Sequence, residues 1–296
     1  MLGVNELQDK GFDADQINQI LKIYEDTNID VSNLPINVHV EDLRTLRQNL
    51  FNSKFSPLQE NLLLDGLDNN INIILYANPK YSTEKMEVIL DALKNNINIE
   101  NYLELYNTEN GNDTLDDLRL IIEGITECID VDKYARPEFN YEQKVQIKKG
   151  LESKLDVNIY ANTKYNADQM NVLYKALRAN LDISKMANEK YSYLQMDLIK
   201  NCLETGYDIT KYINTNYSIE QMEQIKKGLK SEIDVSVYAK ENFSAIKMRA
   251  IRKTLEYNKD NKANISYKIF LDETSDEKIL EIQNMIKNGN NKKRRD

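Results

Sequence analysis

The sequence predicts an all-α protein, an α-solenoid of about ten stacked helix-pair repeats with an elongated or curved shape. Three observations predict this fold. One residue pattern recurs through most of the chain, usually at steps of 26 residues; each copy carries a signal for a longer helix; and each copy then carries a signal for a shorter one. Because one helix pair cannot bury its apolar face alone, neighbouring copies are expected to share a continuous core.

The clearest copy runs from Asn216 to Tyr238, with the sequence NYSIEQMEQIKKGLKSEIDVSVY. We number positions in each repeat from its first residue, usually aromatic, which is position 0, and we name each repeat by that residue. The repeats begin at Phe55, Tyr81, Asp113, Phe139, Tyr165, Tyr191, Tyr217 and Phe243. Every step is 26 residues except the one from Tyr81 to Asp113, which is 32.

Position 1 predicts the start of the longer helix, because serine, threonine and asparagine are good N-caps. The residues are Ser56, Ser82, Thr114, Asn140, Asn166, Ser192, Ser218 and Ser244. Position 4 is glutamine in most repeats, which completes a capping box, with Lys85, Asp117 and Lys247 as departures. Methionine at position 5 can form a hydrophobic staple with position 0, and positions 5, 8 and 12 supply an apolar face at helical spacing.

Position 11, just before the last apolar residue of this helix, is small in seven consecutive repeats. The residues are Gly66, Ala92, Gly124, Gly150, Ala176, Cys202 and Gly228. Glycine inside a helix costs about 1 kcal/mol relative to alanine, so its recurrence needs a physical reason. We expect it to admit the backbone of a neighbouring helix. The alternative is that the glycine ends the helix, but the leucine that follows argues for a further half turn.

The shorter helix is predicted from an N-cap residue at position 17 and an apolar residue at position 21. The caps are Asn72, Asn98, Asp130, Asp156, Asp182, Asp208 and Asp234, and the apolar residues are Tyr76, Tyr102, Tyr134, Tyr160, Met186, Tyr212 and Tyr238. Capping explains every aspartate better than metal binding does, since stacked helices lie about 8–10 Å apart. The tyrosines are expected to pack in the core and not to form a ladder for stacking nucleic-acid bases.

The repeat pattern divides the chain into three parts. Residues 1–54 hold diverged N-terminal repeats that act as a cap, in which Asp13 and Gln16 still mark a helix start. A small separate module is the alternative for this part. Residues 55–260 form the regular array, and residues 261–296 hold a C-terminal capping helix and a basic tail.

The capping helix is predicted from Ser275 to Lys287, with Gly289 as its stop signal. Inside the array, the connection from Leu105 to Asp113 carries six extra residues. Insertions in repeat arrays often lie on the binding face, although a tolerated surface loop is the plainer interpretation. The candidate binding residues in this loop are Asn107, Glu109, Asn110 and Asn112.

Catalytic chemistry has little support in the sequence. His39 is the only histidine, which excludes a histidine-based triad and a multi-histidine metal site, and no glycine-rich phosphate loop occurs. We therefore predict a non-enzymatic protein with no catalytic residues, metal ligands or cofactors. Two scattered cysteines, Cys128 and Cys202, together with the lack of a secretion signal or an apolar membrane-spanning stretch, favour a soluble cytoplasmic protein without membrane partners.

Charge is distributed unevenly along the chain. Residues 1–147 carry 12 Lys/Arg and 27 Asp/Glu, a net charge of −15, whereas residues 148–296 carry 27 and 21, a net charge of +6. Positions 9 and 10 of the later repeats form a basic stripe that is expected to lie off the core face. Its residues are Lys148, Lys149, Lys175, Lys200, Lys226, Lys227, Arg252 and Lys253.

Three interpretations of the basic stripe stay open: a solvated face, a site for an acidic protein partner, or a site that follows a nucleic-acid backbone. In the earlier repeats the same positions are Leu64/Asp65, Leu90/Asp91 and Ile122/Glu123, so the stripe stops midway. Mimicry of nucleic acid by the acidic N-terminal half is a variant of the third interpretation. The sequence makes no prediction of oligomeric state.

The pattern Tyr/Phe-Ser-x-x-Gln-Met-x-x-Ile-x-x-Gly-Leu followed by Asp-Val-x-x-Tyr-Ala, as in residues 217–239, resembles tandem helical repeats of accessory proteins from Firmicutes phages and conjugative elements. The resemblance implies a protein encoded by a mobile element that binds a protein partner and inhibits a host defence effector, such as a CRISPR nuclease. A non-enzymatic, protein-binding solenoid is the leading hypothesis. A nucleic-acid-binding or nucleic-acid-mimicking solenoid is the alternative.

Overall fold

The computed structural model describes residues 3–105, 115–271 and 275–292, and within these ranges the regular structure is helical, with no β-strand. The predicted all-α class is confirmed, and consecutive helices pack against their neighbours as a helical-repeat solenoid requires. The chain forms two compact units, Met1–Lys148 and Lys149–Asp296, which we call unit 1 and unit 2.

The α-helices follow the predicted repeats. Those of unit 1 are α1 (Val4–Lys10), α2 (Ala14–Thr27), α3 (Val40–Phe51), α4 (Pro57–Asp68), α5 (Thr83–Lys94), α6 (Glu100–Leu105) and α7 (Leu115–Thr126). Helix α8 (Tyr141–Glu152) contains the boundary between the units. Those of unit 2 are α9 (Ala167–Arg178), α10 (Tyr193–Glu204), α11 (Ile219–Lys230), α12 (Ala245–Asn261) and α13 (Asp276–Lys292).

The shorter helix of most repeats is a single turn of 3₁₀ helix. These turns are Ile73–Leu75, Val131–Lys133, Val157–Ile159, Ile183–Lys185, Ile209–Lys211 and Val235–Val237, with a further one at Tyr267–Phe270. Five of the predicted caps accept a backbone hydrogen bond at the start of their turn: Asn72, Asp156, Asp182, Asp208 and Asp234. The Asp234 carboxylate, for example, accepts from the N–H of Ser236 at 3.0 Å. Asp130 occupies the N-cap position without a side-chain capping bond. The Tyr81 repeat differs, because the six-residue helix α6 takes the place of the 3₁₀ turn.

The predicted helix starts are confirmed where the structure describes them. In the Tyr217 repeat, Ser218 Oγ accepts from the N–H of Gln221 at 3.2 Å, and Gln221 Oε1 accepts from the N–H of Ser218 at 2.6 Å. The diverged N-terminal part keeps the same device, since Asp13 and Gln16 form a capping box at the start of α2. Thr114 lies outside the described residues.

The glutamine at position 4 has a second role, which sequence reasoning missed. Its side-chain amide donates to the carbonyl at position 0 of the next repeat, as Gln221 Nε2 does to Phe243 O at 2.7 Å. The same bond joins Gln59 to Tyr81, Gln169 to Tyr191 and Gln195 to Tyr217. One side chain therefore caps its own helix and fixes the start of the following one.

A left-handed residue at position 15 ends the longer helix in each of seven repeats. The residues are Asn70, Asn96, Cys128, Lys154, Asn180, Gly206 and Glu232. The next backbone N–H turns back to the carbonyl at position 11, as Ile233 does to Gly228 at 3.2 Å, which is the bond of a Schellman motif. Sequence analysis did not identify this stop, because cysteine, lysine and glutamate occupy it as well as asparagine and glycine.

We predicted that the small residue at position 11 admits the backbone of a neighbouring helix, and this reason is wrong. A Cβ on Gly228 would overlap the hydroxyl oxygen of Tyr238 and crowd Val235, both from the 3₁₀ turn of the same repeat and not from the backbone of a neighbouring helix. The alternative is wrong as well, since α11 continues past Gly228 to Lys230. Tyr238 is fully buried, as are Tyr76, Tyr134 and Tyr160, which confirms the predicted core role for these four tyrosines at position 21. The prediction is wrong for Tyr102 and Tyr212, which are half-buried.

The end of the capping helix also differs from the prediction. Helix α13 begins at Asp276, next to the predicted cap Ser275, but it passes through Gly289 and ends at Lys292. Glycine costs a helix about 1 kcal/mol without forbidding it, so a lone glycine is a weak stop signal. The last residues of the predicted basic tail, 293–296, lie outside the described ranges.

Candidate functional site

The exposed part of the basic stripe is confined to unit 2 and to position 10. Lys149, Lys175, Lys227 and Lys253 are exposed, while positions 5 and 8 of the same helices are buried or half-buried. Helices α9, α10, α11 and α12 pack on one another in succession, so position 10 recurs at equivalent places on these four helices. Lys149 holds the same repeat position on α8. We call these four residues the lysine column; in α10 the position is taken by the half-buried Asn201.

The prediction that the whole stripe lies off the core face is wrong for position 9. Lys148, Lys200 and Arg252 are buried, each with less than a tenth of its surface exposed. This position turns towards neighbouring side chains, and Arg252 Nε, for example, donates to Gln224 Oε1 of the preceding helix at 3.2 Å. Lys226, also at position 9, is half-buried.

Each of the three buried cations has a carboxylate partner. Lys148 Nζ lies 2.7 Å from Glu127 and 3.4 Å from Glu123, within unit 1. Lys200 Nζ lies 3.2 Å from Glu204 Oε2, and the Arg252 guanidinium lies 2.5 Å from Glu256 Oε1. These three cations are therefore paired within the fold and do not form a free basic surface.

The lysine column itself is only weakly neutralised. Lys227 lies 3.7 Å from Glu223 and Lys253 lies 3.3 Å from Glu256. Within the described residues, Lys149 and Lys175 have no carboxylate at ion-pair distance. Ion pairs on exposed surfaces are worth about 0–1 kcal/mol, so an incoming anionic group can displace them at little cost.

Unit 1 presents the opposite charge at the same repeat position. Position 10 is Asp65 in α4, Asp91 in α5 and Glu123 in α7, which we call the acidic column. Asp65 pairs with Lys94 at 2.6 Å and Glu123 with Lys148 at 3.4 Å. Each unit therefore carries a column of one sign on its exposed helix surface.

Unit 1 also contains an open groove of about 280 Å³ between α5 and α7. Its lining is apolar at the base and charged at the rim. The lining residues are Val88, Asp91, Ala92, Asn95, Ile97, Arg119, Ile122 and Glu123. Sequence analysis did not find this groove, because it arises from the distance between two helices in different repeats.

The remaining candidates from the sequence are the loop residues and the possible metal ligands. The loop residues Asn107, Glu109, Asn110 and Asn112 lie outside the described residues. Across the described part of the chain, no group of three or more histidine, cysteine, aspartate or glutamate side chains is placed to hold a metal ion. None of the described helices is both long and apolar enough to span a bilayer.

Comparison of this chain with protein-family models, with curated proteins and with solved structures found no match. The charge, exposure and packing of the residues described above are therefore the basis of the function proposed below.

Proposed function

We propose that the protein is a non-enzymatic helical-repeat protein that binds a partner protein, and that the lysine column of unit 2 contacts an acidic surface of that partner. The observation that supports this most directly is the exposure of Lys149, Lys175, Lys227 and Lys253 at one position in four of the five repeats that begin at Phe139, Tyr165, Tyr191, Tyr217 and Phe243. Regularly spaced cations on a helical-repeat surface can match a row of carboxylates, which favours encounter and fixes register.

The repeat fold does not require lysine at this position. The same position holds Asp65, Asp91, Glu123 and Asn201 in other repeats, and those repeats form helices of the same length. By contrast, positions 4, 11 and 21 are restricted by hydrogen bonds and burial. Packing does not require lysine at position 10, yet lysine recurs there. This recurrence supports a role in binding.

The resemblance stated for residues 217–239 adds two narrower proposals. We propose that the protein is encoded by a mobile element and acts in the cytoplasm, and that its partner is a host defence effector such as a CRISPR nuclease. Nucleic acid is the competing ligand, because phosphates would match the lysine column as carboxylates do.

A charge-reversal experiment tests the proposal. The purified protein is immobilised and exposed to a bacterial host lysate, and the captured partner is identified, purified and titrated against the column variant Lys149→Glu/Lys175→Glu/Lys227→Glu/Lys253→Glu. The matched control is Lys154→Glu/Lys164→Glu/Lys190→Glu/Lys211→Glu. It changes the net charge by the same amount, at exposed residues outside the column. We expect the column variant to bind the partner at least tenfold more weakly than the control.

Capture of no protein across several salt concentrations would argue against the proposal, as would equal binding by both variants. Labelled single-stranded and double-stranded DNA and RNA are titrated in parallel. Tight binding to one of them, lost in the column variant and falling steeply with salt, would assign the column to nucleic acid instead.

A further inference from the structure

The tyrosine at position 21 fills a defined place beside its own longer helix. In the Phe55 repeat, the hydroxyl of Tyr76 donates to the carbonyl of Leu62 at 2.9 Å and lies against Gly66. Leu62 and Gly66 are positions 7 and 11. We call the space next to these two positions the tyrosine slot. Tyr134 and Tyr238 occupy it in the same way, with hydrogen bonds to Leu120 O and Gln224 O.

The Tyr81 repeat has the slot but not the tyrosine. Position 11 is Ala92, and its methyl group stands where the other repeats need an open space for the hydroxyl. Tyr102, at position 21, is half-exposed instead, and its hydroxyl donates to Asp132 at 2.7 Å. The groove between α5 and α7 is lined by Val88 and Ala92, which are positions 7 and 11 of this repeat. The groove therefore corresponds to a tyrosine slot that its own tyrosine does not fill.

The Tyr165 repeat shows which side chain suits a slot with alanine at position 11. There, Ala176 is combined with Met186 at position 21, and both are fully buried. Methionine is unbranched and flexible, so it can fill a shallow, irregular apolar space without a hydrogen-bond partner. The base of the groove, formed by Val88, Ala92 and Ile122, has the same apolar chemistry.

The rim of the groove is acidic. Asp91 has no ion-pair partner among the described residues, and Glu123 shares Lys148 with Glu127. The one cation of the lining, Arg119, is already held by Glu84 at 2.6 Å. An apolar side chain that enters the groove would therefore be favoured if basic residues flanked it.

We propose that the groove between α5 and α7 binds a methionine-like apolar side chain presented by a basic segment of a partner protein. This inference rests on the proposed protein-binding function. Its site lies in unit 1 and is acidic, whereas the lysine column lies in unit 2 and is basic. The groove supplies the apolar contact, and Asp91 and Glu123 supply the electrostatic selection.

The test uses the full-length protein with ¹³C-labelled isoleucine and valine methyl groups. The probe is a short peptide with one methionine flanked by two lysines on each side. We expect saturable NMR shifts at the methyls of Val88, Ile97 and Ile122. Replacing the methionine of the peptide by glycine, or its lysines by glutamates, is expected to weaken binding at least tenfold.

Three variants establish the location. Val88→Phe fills the groove and is expected to abolish the shifts, whereas Leu64→Phe, at an exposed apolar residue of α4, is expected to leave them unchanged. Ala92→Gly opens the slot to Tyr102, whose ring would then compete with the peptide and weaken its binding. Absence of methyl shifts in the wild-type protein would overturn the inference. Shifts of equal size in the wild type, Val88→Phe and Ala92→Gly would overturn it as well. If the groove inference failed in this way but partner binding were still weakened by the lysine-column variant, the proposed function would remain supported.

Discussion

The hydroxyl of Tyr238 donates to the carbonyl of Gln224 at 3.1 Å and occupies the space that a side chain at Gly228 would need. The same arrangement joins Tyr76 to Gly66, Tyr134 to Gly124 and Tyr160 to Gly150. In the three repeats without glycine at position 11, the residue at position 21 is the buried Met186 or the half-exposed Tyr102 or Tyr212. In the repeats from Phe55 to Tyr217, glycine at position 11 and a buried tyrosine at position 21 therefore occur together or not at all.

This pairing predicts a compensated pair of substitutions. Gly228→Ala should destabilise the protein by about 1–3 kcal/mol through overpacking, although alanine is the better helix former. Gly228→Ala combined with Tyr238→Met reproduces the Ala176/Met186 pair and should recover most of that loss. Urea unfolding followed by circular dichroism measures both. A double variant that is no more stable than Gly228→Ala would contradict the explanation.

A second compensated pair lies between α7 and α8. Asp117 and Lys144 are each 1% exposed, and their charged atoms lie 3.0 Å apart. Asp117 stands at position 4 of its repeat, where glutamine is usual, and Lys144 stands at position 5 of the next repeat, where methionine is usual. Lys144→Met alone leaves a buried carboxylate without its cation and should cost about 3–5 kcal/mol.

The double variant Asp117→Gln/Lys144→Met restores the pattern of the other repeats. The introduced amide can donate to the backbone of the next repeat as Gln195 does, so we expect stability equal to or above that of the wild type. Urea unfolding of the wild type, the two single variants and the double variant gives the coupling energy. Additive losses in the double variant would show that the two residues do not act as a pair.

The two cysteines should differ in reactivity. Cys128 is exposed, whereas burial raises the pKa of the Cys202 thiol to about 11. At pH 8 only about one in a thousand Cys202 thiols would be ionised, and the thiolate is the reactive form. A colorimetric thiol reagent should label one thiol per chain quickly in the native protein and two in denaturant. The variant Cys128→Ser should abolish the fast phase.

Stability in unit 2 should fall in acid through Glu256. Burial alone would raise the pKa of this carboxyl, but hydrogen bonds from Ser231 and Arg252 outweigh burial and hold the pKa below its ordinary value of 4.5. A depressed folded-state pKa contributes stability that is fully present above the unfolded-state pKa and is lost as pH falls through the lower folded-state pKa.

The variant Glu256→Gln lacks this contribution. Its unfolding free energy should lie below that of the wild type at pH 7, and the difference should shrink as pH falls below about 4.5. Urea unfolding at several pH values measures the trend. A difference that stays constant from pH 7 to pH 3 would assign the role of Glu256 to packing alone.

Much of the candidate site could be predicted from the sequence, and the predictions that are wrong share one cause. The lysines at positions 9 and 10 were found from their spacing, but spacing on one helix does not show which position meets the preceding helix. Lys148, Lys200 and Arg252 are buried because neighbouring side chains surround them. The groove beside Ala92 could not be predicted at all, since it depends on where Tyr102 goes.

The sequence by itself determined the repeat, the helix starts and the apolar positions. Caps such as Ser218 and Gln221 act across three residues, and helical periodicity acts within a few turns, so both can be recognised without distant neighbours. Only the tertiary structure decided why Gly228 is small, which cations are exposed and where a groove stays open. Those properties depend on distances between side chains that the chain brings together only when the helices pack.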